Sequence, residues 1–93
     1  ALKNYRQSLE IAEKIGDING VAFSFGQMGN LYFKQEEFET ALKCFVQAFL
    51  IFNKIGSPYA KQAAGDINRI REKAAPERFA AILAEFGIKE EEN

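Results

Sequence analysis

Apolar residues recur every three or four positions along most of the chain, a spacing that predicts amphipathic helices and no strands. In the first helix, for example, Leu2, Tyr5, Leu9 and Ala12 share one face. Pro76 cannot continue a helix, so the chain is predicted to break near residues 74–75. The pattern predicts an all-α fold of about five helices, at about 2–15, 18–34, 37–55, 58–73 and 76–86.

Local signals support these boundaries. Gly16 and Gly56 stand where a left-handed residue ends a helix, and Asp17 follows as a good N-cap. Ser57 and Pro58 form an N-cap followed by proline at the first helical position. The linkers are only two to four residues long, so successive helices are expected to pack antiparallel, as helix-turn-helix units.

The third predicted helix is apolar on nearly every side. Between Cys44 and Phe52 only Gln47 is polar. A helix of this kind is expected to be buried on more than one side.

The sequence of residues 1–16 is repeated, with substitutions, at residues 41–56. Such self-similarity indicates stacked units that bury their apolar faces against neighbours. Eight of the sixteen aligned pairs are identical: Ala1/Ala41, Leu2/Leu42, Lys3/Lys43, Gln7/Gln47, Ile11/Ile51, Lys14/Lys54, Ile15/Ile55 and Gly16/Gly56.

A second pattern lies between these copies. Phe25-x-x-Met28-Gly29-x-x-Tyr32 is followed, after eight intervening residues, by Ala41-x-x-x-Phe45-x-x-Ala48. This resembles the tetratricopeptide repeat, with W-x2-L-G-x2-Y, then A-x3-F, then A, in its forty-residue variety. The resemblance implies close helix crossings at the small residues and an interior filled by the large ones. It also implies a right-handed superhelix.

The resemblance organises the chain as a single domain. Residues 1–16 become the second helix of a truncated repeat, 18–56 a complete repeat, and 57–87 a degenerate unit. At an offset of 39, Asn68 replaces Gly29 in that unit, which is either a C-terminal cap or a further repeat. Residues 88–93 are expected to fray.

The chain is interpreted as a piece of a longer protein, because it begins inside a repeat and lacks an initiator Met. The first helix is then expected to have an uncovered apolar side. That side would meet either the parent chain or another copy, so homo-oligomers through exposed repeat ends are one possibility.

Composition narrows the function classes. The 93 residues are 47% hydrophobic with a net charge of −1, typical of a globular chain without a global attraction to nucleic acid or membrane. One cysteine, Cys44, fits a reducing compartment, and we expect a cytoplasmic location. No histidine is present, no Cys/His set has zinc spacing, and Cys44 is expected to be a buried, inert thiol. We therefore expect no enzymatic activity, metal or cofactor.

The resemblance implies a concave face, formed by the first helices of the repeats, that binds a peptide or partner protein. Asn30 matches a recurring groove asparagine of the family, and its amide can both donate to and accept from a peptide backbone. Lys34, Arg69 and Lys73 would form a modest basic patch for an acidic segment. The candidate partner-binding residues are Phe23, Gln27, Asn30, Phe33, Lys34, Gln62, Arg69 and Lys73.

Other interpretations stay open. The polar candidates could form an ordinary hydrated surface, and Phe23 and Phe33 could pack against neighbouring helices; the exposed groove role is favoured for Phe33.

The leading hypothesis is a protein-protein interaction module, and the second is a structural scaffold or self-associating segment of a larger protein. A nucleic-acid contact is disfavoured by the net charge. It would use Lys61, Arg69, Arg71, Lys73 and Arg78.

Overall fold

The computed structural model describes residues 2–88, which fold into helices and short connections without any strand. The all-α prediction is confirmed, and so is the number of helices within that range. Their bounds are α1 (Leu2–Ile15), α2 (Ile18–Lys34), α3 (Phe38–Lys54), α4 (Tyr59–Arg71) and α5 (Pro76–Glu85). The predicted fraying of the tail falls on residues 89–93, outside the described residues.

Local chemistry ends α1 and α3 and starts α2 as predicted, but α4 begins at Tyr59, with Pro58 in the N-cap position and not at the first helical position. Gly16 and Gly56 have φ of +74° and +70°. The next amide closes each turn: Asp17 N–H donates to the Ala12 carbonyl, and Ser57 N–H to that of Phe52, both at 2.8 Å. The Asp17 carboxylate accepts from Gly20 N–H at 3.0 Å, and the Ser57 hydroxyl from Tyr59 N–H at 3.1 Å. Paired carbonyls and amides at both sides of the turn fix the angle at which the next helix leaves.

Three helices, α3, α4 and α5, are shorter than predicted, α5 by only one residue at its end. α3 begins at Phe38 because Glu36 and Glu37 have non-helical backbone and form the turn after α2. α4 ends at Arg71, and its last carbonyls are used by a tighter turn in which Lys73 N–H donates to the Ile70 carbonyl at 2.8 Å. Pro76 excludes the helical conformation at Ala75, whose ψ is 135°, and thus produces the predicted break.

Glu36 adopts a conformation that the sequence did not reveal. Its φ is +62°, and no other non-glycine residue among residues 2–88 has a positive φ. The turn has the same hydrogen bonds as the glycine turns, since Glu36 N–H donates to the Phe33 carbonyl and Glu37 N–H to that of Tyr32. A side chain in this region costs roughly 1–2 kcal/mol. The α2–α3 turn is therefore strained where the other turns carry glycine.

Replacing Glu36 with glycine is expected to raise the free energy of unfolding by about 0.5–1 kcal/mol, because glycine removes the steric cost of the left-handed backbone. Urea unfolding followed by circular dichroism measures the change. The matched control is Glu37→Gly, since Glu37 has an ordinary φ of −93° and should gain nothing. Equal effects of the two substitutions would contradict the assignment of strain to Glu36.

The helices pack in sequence order, with α3 at the centre. The antiparallel prediction for α2 and α3 is supported by contacts that run in opposite directions along them: Phe33 meets Phe38, and Phe23 meets Phe52. At the crossing, Gly29 lies directly against the buried ring of Phe45. α3 contacts α2, α4 and α5, which confirms that it is buried on more than one side.

The unit after residue 57 is part of the core. Ile67 and Ile70 of α4 and Phe79, Ile82 and Leu83 of α5 form one cluster with Leu42, Phe45 and Val46 of α3. At the edge of this cluster, the Arg78 guanidinium lies 3.1 Å from the Glu39 carboxylate. α5 thus packs against both α3 and α4. A terminal cap would occupy this position.

Candidate functional site

A groove runs along α2, bordered at different points by α1, α3 and α4. Three adjoining cavities of about 80, 300 and 440 Å³ compose it. Gln27 and Asn30 line both the first and the second cavity, and Phe33 and Lys34 line both the second and the third. The shared residues make the cavities one continuous surface, here called the α2–α4 groove. It contains all eight predicted residues: Phe23, Gln27, Asn30, Phe33, Lys34, Gln62, Arg69 and Lys73.

One end of the groove is aromatic. The Phe23 ring lies edge-on to the rings of Phe52 and Tyr59, with centroids 5.2 and 4.8 Å apart. Phe23 is nevertheless 42% exposed, and Tyr59 is exposed beside it. Offset aromatic packing holds these rings in position while leaving apolar surface open to a ligand.

The middle of the groove is polar. Asn30 is half-buried between the exposed side chains of Gln27 and Lys34. Asp66 faces the same cavity from α4. Burial raises the pKa of Asp66, and the nearby Arg69 guanidinium acts in the opposite direction. The centre of the groove thus carries the side-chain amides of Gln27 and Asn30. It also carries the Asp66 carboxyl group, which is paired with Arg69.

The other end is basic, but less so than predicted. Lys34 and Lys73 are exposed and line the same cavity, where Glu36 adds one negative charge. Arg69 lies 3.3 Å from the Asp66 carboxylate, and its guanidinium stacks 4.6 Å from the centre of the Phe33 ring. Asp66 offsets the charge of Arg69, so the two lysines contribute most of the positive charge at this end.

Phe33 is not the exposed anchor that the sequence favoured. It is half-buried, packs against the main core cluster, and meets the Phe38 ring edge-on at 5.3 Å. Its outward face is covered by Arg69. A residue that follows the interior Tyr32 on α2 can still be covered by the start of α3, because the short α2–α3 turn brings Phe38 close. The more exposed aromatic candidate is Phe23.

Some groove residues were missed by the sequence reasoning. The 39-residue offset that aligned Arg69 with Asn30 also aligns Asp66 with Gln27, so Asp66 could have been found by the same rule. Tyr59 and Tyr5 had no such signal. Tyr59 enters from the first turn of α4, and Tyr5 from α1, so both depend on how the helices pack.

The opposite side of α2 bears another cavity of about 400 Å³, between α1 and α3, and Cys44 lines it. Burial raises the pKa of the Cys44 thiol to about 11, and the charge of Arg6 opposes this shift. A thiol with so high a pKa is almost wholly protonated at neutral pH and is a poor nucleophile. The inert-thiol prediction is supported by this environment.

Cys44 is expected to react with iodoacetamide at pH 8 about a hundredfold more slowly in the folded protein than in urea, because the thiolate fraction falls by about that factor. Mass spectrometry of quenched samples measures both rates, and Cys44→Ser is the blank. Similar rates in the two states would show that the thiol is accessible and ionised.

The three arginines that a nucleic-acid contact would use interact with other side chains of the protein. Arg78 is paired with Glu39, Arg69 with Asp66, and Arg71 lies 4.5 Å from the centre of the Phe79 ring. Arg69 and Arg71 lie on α4, and Arg78 lies on α5. Within residues 2–88 no cluster of three or more Cys, Asp or Glu side chains could hold a metal ion.

None of the helices in the described part of the chain has the length and apolar character needed to cross a membrane. Comparison with protein-family models, with curated proteins and with solved structures gave no match. The tetratricopeptide resemblance therefore stays a prediction, while the all-helical, repeat-like packing is a property of the fold itself.

Proposed function

We propose that this chain is a protein-protein interaction module that binds an extended peptide segment in the α2–α4 groove. The observation that carries the proposal is the continuity of this groove, in which neighbouring cavities share Gln27 with Asn30 and Phe33 with Lys34. A row of adjoining cavities along one helix suits a ligand that lies along it. No catalytic group is needed for this role.

The two ends of the groove define the chemistry of the ligand. Phe23 and Tyr59 offer an apolar surface at one end, and Lys34 and Lys73 offer positive charge at the other. Phe23 and Lys34 are eleven residues apart on α2, or about 16 Å at 1.5 Å per residue. An extended peptide advances about 3.3 Å per residue, so about five residues would connect an apolar side chain to an acidic one.

Asn30 lies between these ends. Its amide carries both donor and acceptor groups, which match the alternating N–H and C=O groups of an extended backbone. The amide would hold the ligand backbone independently of its sequence, while the two ends select the side chains.

A peptide array tests the proposal. Fluorescein-labelled seven-residue peptides each carry one leucine or phenylalanine and one glutamate, separated by one to five residues, and fluorescence polarisation reports their affinity. We expect the widest separations to bind best. Asn30→Ala should weaken binding by roughly fivefold to tenfold, the loss of about one net hydrogen bond. Lys34→Glu should abolish the preference for glutamate.

Lys43→Glu is the matched control, because Lys43 is exposed on the opposite face, beside Cys44. It makes the same charge change and should leave affinity unaltered. Equal effects of Lys34→Glu and Lys43→Glu, or unchanged binding by Asn30→Ala, would contradict the groove assignment. Circular dichroism of each variant confirms that the fold is retained.

A structural scaffold or self-associating segment is the second candidate function. One observation favours it: α1 exposes Ile11 and Ile15 at the end of the helix stack. Light scattering over a concentration series tests self-association, and a monomer at all concentrations would contradict that form of the hypothesis.

A further inference from the structure

The internal repeat allows α1 and α3 to be compared position by position within one molecule. Residues of α3 stand forty positions after their equivalents in α1, and both helices end in the same left-handed glycine turn. Ala12 of α1 packs against the start of α2, and its equivalent, Phe52 of α3, packs against the start of α4. On this side the two helices have equivalent neighbours.

On the other side, α1 and α3 have different neighbours. α2 packs against α3, where Ala22 of α2 forms a cluster with Ala48 and Phe52. Cys44 and Ala48 are consequently only 6% and 1% exposed, and Ile51 is half-buried. No described helix takes the equivalent place beside α1.

The outer flank of α1 is defined by the equivalents of these residues and of Ile55, which is itself 42% exposed at the end of α3; its members are Asn4, Ser8, Ile11 and Ile15. Asn4 and Ser8 are exposed, and Ile11 and Ile15 are 59% and 72% exposed. The spacing i, i+4, i+7, i+11 places all four on one stripe of the helix.

The outer flank is uncharged, although α1 carries several charges. By helical geometry, Lys3, Arg6, Glu10, Glu13 and Lys14 fall on other sides of the helix. A stripe of small polar residues followed by two isoleucines resembles an interface and differs from a solvated face, which would carry charge. Ser8 is small, as Ala48 is, so a second helix can approach closely there.

We propose that the outer flank of α1 docks an amphipathic helix with the pattern of α2, supplied by a polypeptide segment outside these 93 residues. α2 shows the required pattern: it turns Ala22, Met28 and Gly29 inward. Gly29 lies against Phe45, and Tyr5 is the equivalent of Phe45 on α1. The docking helix would therefore carry glycine or alanine opposite Tyr5. This surface is separate from the ligand surface of the α2–α4 groove.

A second copy of the chain is not the favoured occupant. The inward stripe of α2 is already buried between α1 and α3, so a folded copy cannot present it. α4, the other helix of this kind, has Asn68 in place of Gly29 and Arg71 in place of Tyr32 at the 39-residue offset. It lacks the small residue at the crossing.

The chain itself supplies a probe for this proposal. Residues 17–40 contain α2 and its following turn, and Thr40 precedes Ala41 as an added segment would precede Ala1. We would fuse a copy of residues 17–40 ahead of residue 1 and measure amide hydrogen exchange. Exchange in α1 should slow by about tenfold or more, because a docked helix suppresses its local opening.

Two controls make the result specific. Gly29→Leu in the added copy alone should remove the protection, because leucine collides with Tyr5. Ile11→Glu in the original helix should also remove it, yet should change the stability of the unextended chain little, since Ile11 is largely exposed there. Protection that survives both substitutions would overturn the proposal, as would unchanged exchange in α1.

If the fused chain does not fold, a labelled peptide of residues 17–40 is titrated onto the 93-residue chain. Saturable binding that Ile11→Glu removes supports the proposal, and absence of binding overturns it. Light scattering of the unextended chain addresses the other occupant. A dimer that Ile11→Glu converts to a monomer would assign the flank to a second copy and overturn the proposal.

Discussion

Replacing Gly29 with alanine is expected to lower the free energy of unfolding by about 2–3 kcal/mol, as overpacking of a close helix crossing does. A Cβ atom at Gly29 would lie 2.6 and 2.7 Å from the Cε1 and Cδ1 atoms of Phe45. Phe45 is completely buried among α2, α3 and α4, so its ring cannot swing away. Either the ring leaves its rotamer or α2 moves outward. Urea unfolding followed at 222 nm measures the loss.

Gly26→Ala is the matched control for this prediction. Gly26 lies one turn earlier on α2, and a Cβ atom there meets nothing within 4 Å. Alanine is the better helix former, so this variant should gain up to about 1 kcal/mol. The two substitutions should therefore have opposite signs. If Gly29→Ala is as stable as Gly26→Ala, the crossing is looser than the structure shows.

The second large effect is expected from Phe79→Ala, which should lower the free energy of unfolding by about 3–5 kcal/mol. Phe79 is buried in the cluster that joins α3, α4 and α5, and Arg71 stacks on its ring. A loss of this size is a large part of the roughly 5–15 kcal/mol that holds an average domain together. Because α5 covers α3, we expect hydrogen exchange to accelerate in α3 as well as in α5.

Phe79→Leu retains most of the side-chain volume and should cost less than about 1.5 kcal/mol. It separates the loss of volume from the loss of the aromatic ring. Acceleration of exchange confined to α5, with α3 as protected as before, would mean that α5 detaches independently. In that case α5 would be an appended helix and would not close the core.

Helix positions were predictable from the sequence because their causes are local. The stripe at Phe38, Ala41, Phe45 and Ala48, the glycines that end α1 and α3, and the cap at Asp17 act within a turn or two of helix. The close crossing at Gly29 was predicted through the resemblance, which implies close packing at its small residues. Glycine alone does not indicate a crossing, since Gly26 lies in the same helix with open space around it. The groove positions on α2 were likewise carried over from the resemblance.

Contacts between distant segments decided the rest. Local interactions along the chain specify the helices, the repeated units and the glycine turns, because hydrogen-bond spacing and side-chain periodicity are properties of neighbouring residues. Only the tertiary structure paired Arg69 with Asp66, covered Phe33 with Phe38, and strained Glu36. In the tertiary structure, Ile11 and Ile15 are also more exposed than their repeat equivalents, Ile51 and Ile55. These outcomes depend on which helix stands beside which, and identical residues acquire different burial when one copy has a neighbour that the other lacks.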